Sequence, residues 1–262
     1  MDNFEWYIYP LVIAAGFGAG FINTLAGSGS LITLSLMLFM GIPANVANGT
    51  NRVGVLFQGL TSVEGFRRKK ALDMRRGLIL SIPATIGSII GAQIAVDLNE
   101  TVMDRTIGVL MLVMLVVILV QPNRWLKGRP EAIKERPGAI ELLVLFLIGI
   151  YGGFIQAGVG IFLLAGLVLG IGYGLVNANA LKVLIVFVFT IFALIVFVIN
   201  GQVLWGIGIL LAIGNALGGW VAAHMAVERG AGFVRWVLIL VVAVAAIRQL
   251  GLFDLIGRIF AG

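Results

Sequence analysis

Long apolar runs, broken by charged loops or by Gly, Pro and Asn clusters, divide the chain into about ten helical segments. The pattern predicts helices at about 7–26, 30–41, 46–66, 77–96, 102–121, 140–157, 161–172, 178–200, 203–223 and 234–250. Most are long enough to cross a bilayer core of ~30 Å, which takes about 20 residues. The second and seventh are too short to do so alone. Each follows a glycine-rich break, Gly27-Ser28-Gly29-Ser30 in one case and Gly158-Val159-Gly160 in the other.

Composition turns this pattern into a class. Of 262 residues, 60% are apolar and 11% charged, and the mean hydropathy is +1.10. A soluble domain is roughly half apolar and about a quarter charged. A soluble enzyme, a nucleic-acid binder and a disordered scaffold are therefore excluded, and the chain reads as a polytopic membrane protein. Cysteine is absent, which removes disulfides, thiolate nucleophiles and Cys-based metal sites. The single histidine, His224, leaves little room for a His-based one. Asp2 and Glu5 stand where a cleaved signal peptide would carry its basic residues.

The net charge of +6 is mostly a topology signal. Basic residues gather in three loops: Arg67, Arg68, Lys69, Lys70, Arg75 and Arg76; then Arg124, Lys127, Arg129, Lys134 and Arg136; then Arg229 and Arg235. One threading places all three on the cytoplasmic side, as the excess of Lys and Arg there requires. The acidic loop with Asp97, Glu100 and Asp104 then faces out, as do both termini. Trp6, Tyr7, Tyr9, Trp125, Trp205 and Trp236 sit near segment ends, where interfacial aromatics belong.

The two halves also resemble each other. Gly16-Phe17-Gly18-Ala19-Gly20-Phe21-Ile22-Asn23 parallels Gly149-Ile150-Tyr151-Gly152-Gly153-Phe154-Ile155-Gln156. In both copies a glycine break, a short segment and an Asn-containing turn follow, the turns being Ala47-Asn48-Gly49-Thr50-Asn51 and Ala178-Asn179-Ala180-Leu181-Lys182. With about five segments each, an odd number, the halves must be inverted relative to each other. Inverted repeats with interrupted helices and a site at the repeat interface are a transporter signature. Chance likeness between Gly-rich stretches is the plainer alternative, but order, break positions and charge topology agree against it.

Two basic residues, Arg52 and Lys182, fall at membrane depth, while Glu64, Asp97 and Glu141 all lie at segment ends. A charge inside the bilayer costs ~3 kcal/mol on insertion scales and normally faces a cavity or a partner. With no mid-span carboxylate to pair with, Arg52 and Lys182 point to an incoming anion. The alternative for each is snorkelling to an interface from the first turn of its helix. The glycine breaks fit the same chemistry: helices starting at Ser30 and Gly160 expose backbone N–H groups and a positive dipole end, and Ser28 and Ser30 add hydroxyl donors. Gly27, Gly29 and Gly158 let the backbone turn sharply. Asn23, Asn48, Thr50, Asn51, Gln156 and Asn179 lie beside the breaks, placed either to bond substrate oxygens or to cap helices. Capping is the plainer role for Asn48 and Asn179.

Other features carry less. Gly87-x-x-x-Gly91 and Gly214-x-x-x-Gly218 predict close helix contacts, and His224 an interfacial position. Gly16-x-Gly18 lacks the strand of a dinucleotide fold, and no phosphate-binding loop, H-E-x-x-H or G-x-S-x-G pattern occurs. No mid-span carboxylate is available to carry a proton, which favours uniport or proton movement on the substrate itself.

The run Gly20-Phe21-Ile22-Asn23-Thr24-Leu25-Ala26-Gly27-Ser28-Gly29-Ser30, followed by Gly41-Ile42-Pro43 and Ala47-Asn48-Gly49-Thr50-Asn51-Arg52, resembles the TauE/SafE sulfite exporter family. Gly153-Phe154-Ile155-Gln156-Ala157-Gly158-Val159-Gly160 and Ala178-Asn179-Ala180 echo it. The resemblance covers nearly the whole chain. It implies a permease for small sulfur-containing anions such as sulfite or sulfonates, usually bacterial and usually exporting. The family's central motif maps onto Asn23, Gly27, Ser28, Gly29 and Ser30, and onto Gln156, Gly158 and Gly160. The second copy departs from the first in its shorter break and in Leu181-Lys182 where Thr50-Asn51 stand, which argues against a strictly symmetric site.

The expectation is an all-α polytopic membrane protein of two inverted repeats, the first two segments of each forming a broken hairpin. Residues 1–121 form one repeat, 122–139 a cytoplasmic linker, 140–250 the other repeat and 251–262 a tail. It is expected to be a secondary transporter working by alternating access, not an enzyme, with no cofactor and no metal. An anion channel, or a permease for another small oxyanion or carboxylate, is the alternative. The expected partners are a small anionic substrate and the lipid bilayer, with no nucleic acid and a homodimer left open. The expected location is the bacterial inner membrane, with both termini extracytoplasmic.

Overall fold

A computed structural model describes residues 7–99, 102 and 137–249 of the chain. Among the described residues all the regular structure is helical: α1 (Ile8–Leu25), α2 (Ser30–Phe39), α3 (Ala44–Arg68), α4 (Met74–Asp97), α5 (Ala139–Phe154), α6 (Val159–Ala165), α7 (Leu175–Ile199) and α8 (Trp205–Gln249). A π-wound turn, Gly166–Ile171, continues α6. The segment predicted at 102–121, most of the 122–139 linker and the 251–262 tail lie outside the described residues.

Local chemistry explains the boundaries. Asp73 caps α4 by accepting a hydrogen bond from the Arg76 backbone N–H at 3.0 Å. The short helices α2 and α6 run into Gly41 (φ 76°) and Gly172 (φ 101°), left-handed positions where glycine escapes the Cβ penalty. Gly230 (φ 72°, ψ −169°) is non-helical and divides α8, in accord with the two segments predicted there. The Asn-rich stretches were expected to be turns, and here the structure differs. Gly41-Ile42-Pro43 makes the first turn, so Asn48, Thr50 and Asn51 lie inside α3, and Asn179 lies inside α7.

Among the described residues four stretches are long and apolar enough to cross a membrane: Ile8–Leu25, Met74–Asp97, Leu175–Ile199 and Trp205–Val234. The 25-residue α3 is as long as α7 but too polar to be one of them. Its polar face is instead buried in protein, with Asn48, Thr50, Asn51, Arg52, Gln58 and Ser62 all inaccessible or nearly so.

Helices packed in lipid gain from close van der Waals approach, so small residues collect at their contacts. α1 lies along α8, and α4 along α5. A methyl added at Gly87 or Gly91 would strike the Phe146 or Ile150 carbonyl of α5, and one at Gly214 or Gly218 the Ile13 or Phe17 carbonyl of α1. Both Gly-x-x-x-Gly pairs thus serve as predicted. The facing glycines are equally tight: Gly149 and Gly153 abut the Ala84 and Ser88 backbone, and Gly20 that of Asn215.

The packing partners cross over between the halves. α8, late in the chain, packs on α1 and α3, whereas α4 packs on α5 and α7. Two bundles result, joined where α3 meets α7 and where the two glycine breaks touch.

Candidate functional site

The breaks meet inside the molecule. Gly27 takes φ 83°, and a methyl on it would collide with the backbone of Gly160; one on Gly160 would collide with Gly27. Gly158 (φ 76°) sets the reversal on the second side. Only glycine meets both demands at Gly27, a left-handed backbone and a neighbouring main chain in direct contact. Ser28 and Val159 are both buried.

Each break is held by a side chain from its own hairpin. Asn23 Oδ1 accepts from the Ser30 backbone N–H at 3.2 Å, and Asn23 Nδ2 donates to Ser30 Oγ at 3.0 Å. The start of α2 is thus capped from the last turn of α1 rather than by Gly29. On the other side, Gln156 Nε2 donates to Thr190 Oγ1 at 2.6 Å.

The two buried cations cap helices across the bundles. Lys182 Nζ donates to the carbonyls of Asn23 (2.9 Å) and Thr24 (2.8 Å), in the last turn of α1. Arg52 Nη1 donates to Gly152 O at 3.2 Å and Nη2 to Gly153 O, in the last turn of α5. Asn48 Nδ2 completes that end by donating to Phe154 O at 2.8 Å. The Arg52 guanidinium also lies 4.5 Å from the Phe197 ring centroid. Unpaired C-terminal carbonyls and the negative dipole end favour such cations. Neither residue snorkels, for Arg52 is 0% exposed and Lys182 1%.

Where Gly27 and Gly160 touch there is a cavity of about 20 Å³, room for about one water. Six predicted residues line it: Asn23, Gly27, Ser30, Gln156, Gly160 and Lys182. Val55, Gln58, Val159, Val183 and Val186 complete the wall and were not anticipated. The lining contains one ionisable group, the Lys182 ammonium. Two of its three N–H donors are used on carbonyls, leaving one in excess.

The other predicted residues do not line the cavity. Gly29 packs on Ala19 O. Thr50 Oγ1 accepts from the Leu204 backbone N–H at 2.9 Å, at the entry to α8. Asn51 Oδ1 accepts from Thr33 Oγ1 at 2.6 Å. Several buried polar atoms have no partner: Ser28 Oγ, Asn51 Nδ2, Arg52 Nε, Gln156 Oε1 and both amide atoms of Asn179. Buried polar groups are nearly always bonded, so each of these calls for an explanation. Among the described residues no group of His, Asp or Glu has the arrangement of a metal site.

Interrupted helices that meet beside a buried lysine are a feature of membrane transporters, and comparison with known proteins gives the class and the family. The model of the sulfite exporter TauE/SafE family matches residues 12–249, so the chain belongs to that family of membrane transporters. It is 28% identical to "Probable membrane transporter protein ORF9" of Sinorhizobium sp, over 95% of each chain. Against a protein of the same description from Haemophilus influenzae it is 27% identical, over 87% of this chain and 89% of that one. With YfcA of Escherichia coli K12 it shares 25% identity over 95% and 94% of the two chains. No solved structure gives a significant match.

Proposed function

We propose that the protein is a secondary transporter of small sulfur-containing anions, such as sulfite or sulfonates, binding them between the two glycine breaks. The observation that carries this reading is Lys182, a buried ammonium on the wall of a cavity that holds no carboxylate. An oxyanion there supplies the missing counter-charge and accepts the unused N–H. Ser30 Oγ, Gln58 and Gln156 lie on the same wall to take its remaining oxygens. Arg52 plays a different part, since its guanidinium serves the carbonyls of α5.

A cavity of about 20 Å³ is far smaller than a sulfite ion. Binding therefore separates Gly27 from Gly160, and the two bundles move relative to each other. Alternating access follows if they rock about this junction, opening to one face at a time. The inverted-repeat reading is supported by the equal lengths of α3 and α7 and by the matched glycine turns at Gly41 and Gly172. The basic ends at Arg67–Lys70 and Arg229 are assigned to the cytoplasm of a bacterial inner membrane on charge alone.

The test is binding to the purified protein across sulfite, sulfate, taurine and sulfoacetate, with counterflow in proteoliposomes. Saturable binding of sulfite or a sulfonate, with flux that saturates alike, is expected. No binding of any of the four overturns the reading, and non-saturating flux favours a channel.

A further inference from the structure

We propose that the buried polar face of α3 between the cavity and the basic end of that helix is the route by which the anion reaches the cavity, with Gln58 as the contact at which it enters. This rests on the anion-transporter reading above and deepens it. Gln58 lines the cavity. Its Nε2 donates to Thr24 Oγ1 at 2.9 Å, and Thr24 Oγ1 lies 2.9 Å from Ser62 Oγ. All three side chains are buried. Positions 58, 62 and 65 share one helix face, and Gly65 is followed by Arg67, Arg68, Lys69 and Lys70.

The corresponding face of α7 differs. Beyond Lys182 its buried face presents Val186, Phe189, Ala193 and Phe197, with Thr190 as the one polar side chain, already bonded to Gln156 at 2.6 Å, so a connected file of hydroxyl and amide groups continues along α3 alone. Buried polar groups are costly at membrane depth and tend to mark pathways. The α3 face offers hydroxyl and amide donors without a carboxylate until Glu64, which is already paired with Arg67 at 2.8 Å and Arg68 at 2.7 Å. Such a lining suits an oxyanion. α8 closes it at two places, for a methyl at Gly219 would press on Ser62 Oγ and on Gln58, and one at Gly65 on Ala223. A small withdrawal of α8 from α3 opens the file to the basic end.

The chain contains no cysteine, so single thiols report without background. The experiment places Ser62→Cys and, on α7, Ala193→Cys in permeabilised vesicles and follows their reaction with a charged, membrane-impermeant thiosulfonate reagent. Ser62→Cys is expected to react at least ~10-fold faster and to be slowed several-fold by sulfoacetate, as a wet, substrate-occupied route requires. Equal, slow labelling of the two overturns the route and makes the Thr24–Gln58–Ser62 bonds glue between helices. Labelling that is fast but indifferent to a sulfonate that the unmodified protein binds overturns it too. If the unmodified protein binds no sulfonate, the anion reading falls and takes the route with it, so the two failures are distinguishable. In an independent check, Gln58→Leu should lower sulfonate flux roughly 10-fold, the worth of one charge-assisted hydrogen bond. Unchanged flux would remove Gln58 from the route.

Discussion

Arg52 and Lys182 look interchangeable in the sequence and are placed differently. Both are buried cations bound to carbonyls of the opposite bundle, but the cavity reaches only Lys182. Lys182→Met, which keeps the stem and removes the charge, should weaken sulfite or sulfonate binding roughly 10- to 100-fold, as expected for losing a hydrogen bond to a charged group. Isothermal titration of purified protein checks this, and undiminished affinity would exclude Lys182 from the site. Arg52→Met should act on stability instead. It strips two α5 carbonyls of their donor and so costs about 2–4 kcal/mol, read as a lower melting temperature in detergent with affinity in the surviving folded protein nearly unchanged.

Among the elements, the interrupted hairpins were the most legible part of the chain, because glycine breaks and short apolar runs act locally. The Gly-x-x-x-Gly contacts were legible for the same reason, since their spacing follows from helix geometry. The Asn clusters misled. Asn favours turns, but Gly41 and Pro43 already make the first one, and Asn48 is spent on Phe154 O, which is 106 residues away in the chain. No local pattern announces such a partner. Gln58 and Ser62 left a weak trace, polar positions recurring on one face of a helix otherwise bounded by apolar segments. The break and the turn also differ in what a methyl would meet. Gly41→Ala enters open space and should cost only the left-handed backbone penalty, about 1–2 kcal/mol. Gly27→Ala carries the same penalty and drives into Gly160, so its melting temperature should fall further and its anion binding should be lost. Equal effects of the two substitutions would show that the breaks do not press together in the membrane.

For the whole molecule, the sequence suggested two repeats, 1–121 and 140–250, and the packing draws its boundary elsewhere. Each bundle borrows its fourth helix from the other half: α8 lies with α1 and α3, and α4 with α5 and α7. Gly-tight contacts hold the borrowed helices, so under the proposed alternating access the bodies that would move are these mixed bundles and not the sequence repeats. Residue-pair crosslinks between α1 and α8 should therefore leave transport intact, whereas a crosslink across the Gly27–Gly160 junction should arrest it, as proteoliposome flux would reveal. The exchange also bears on assembly. A half made alone lacks the helix that covers its own interrupted hairpin, and leaves its own last helix without its tight neighbour. Residues 1–121 and 140–262 expressed separately should each be degraded, and co-expressed they should rescue one another, because the chain is braided and neither strand of the braid holds by itself.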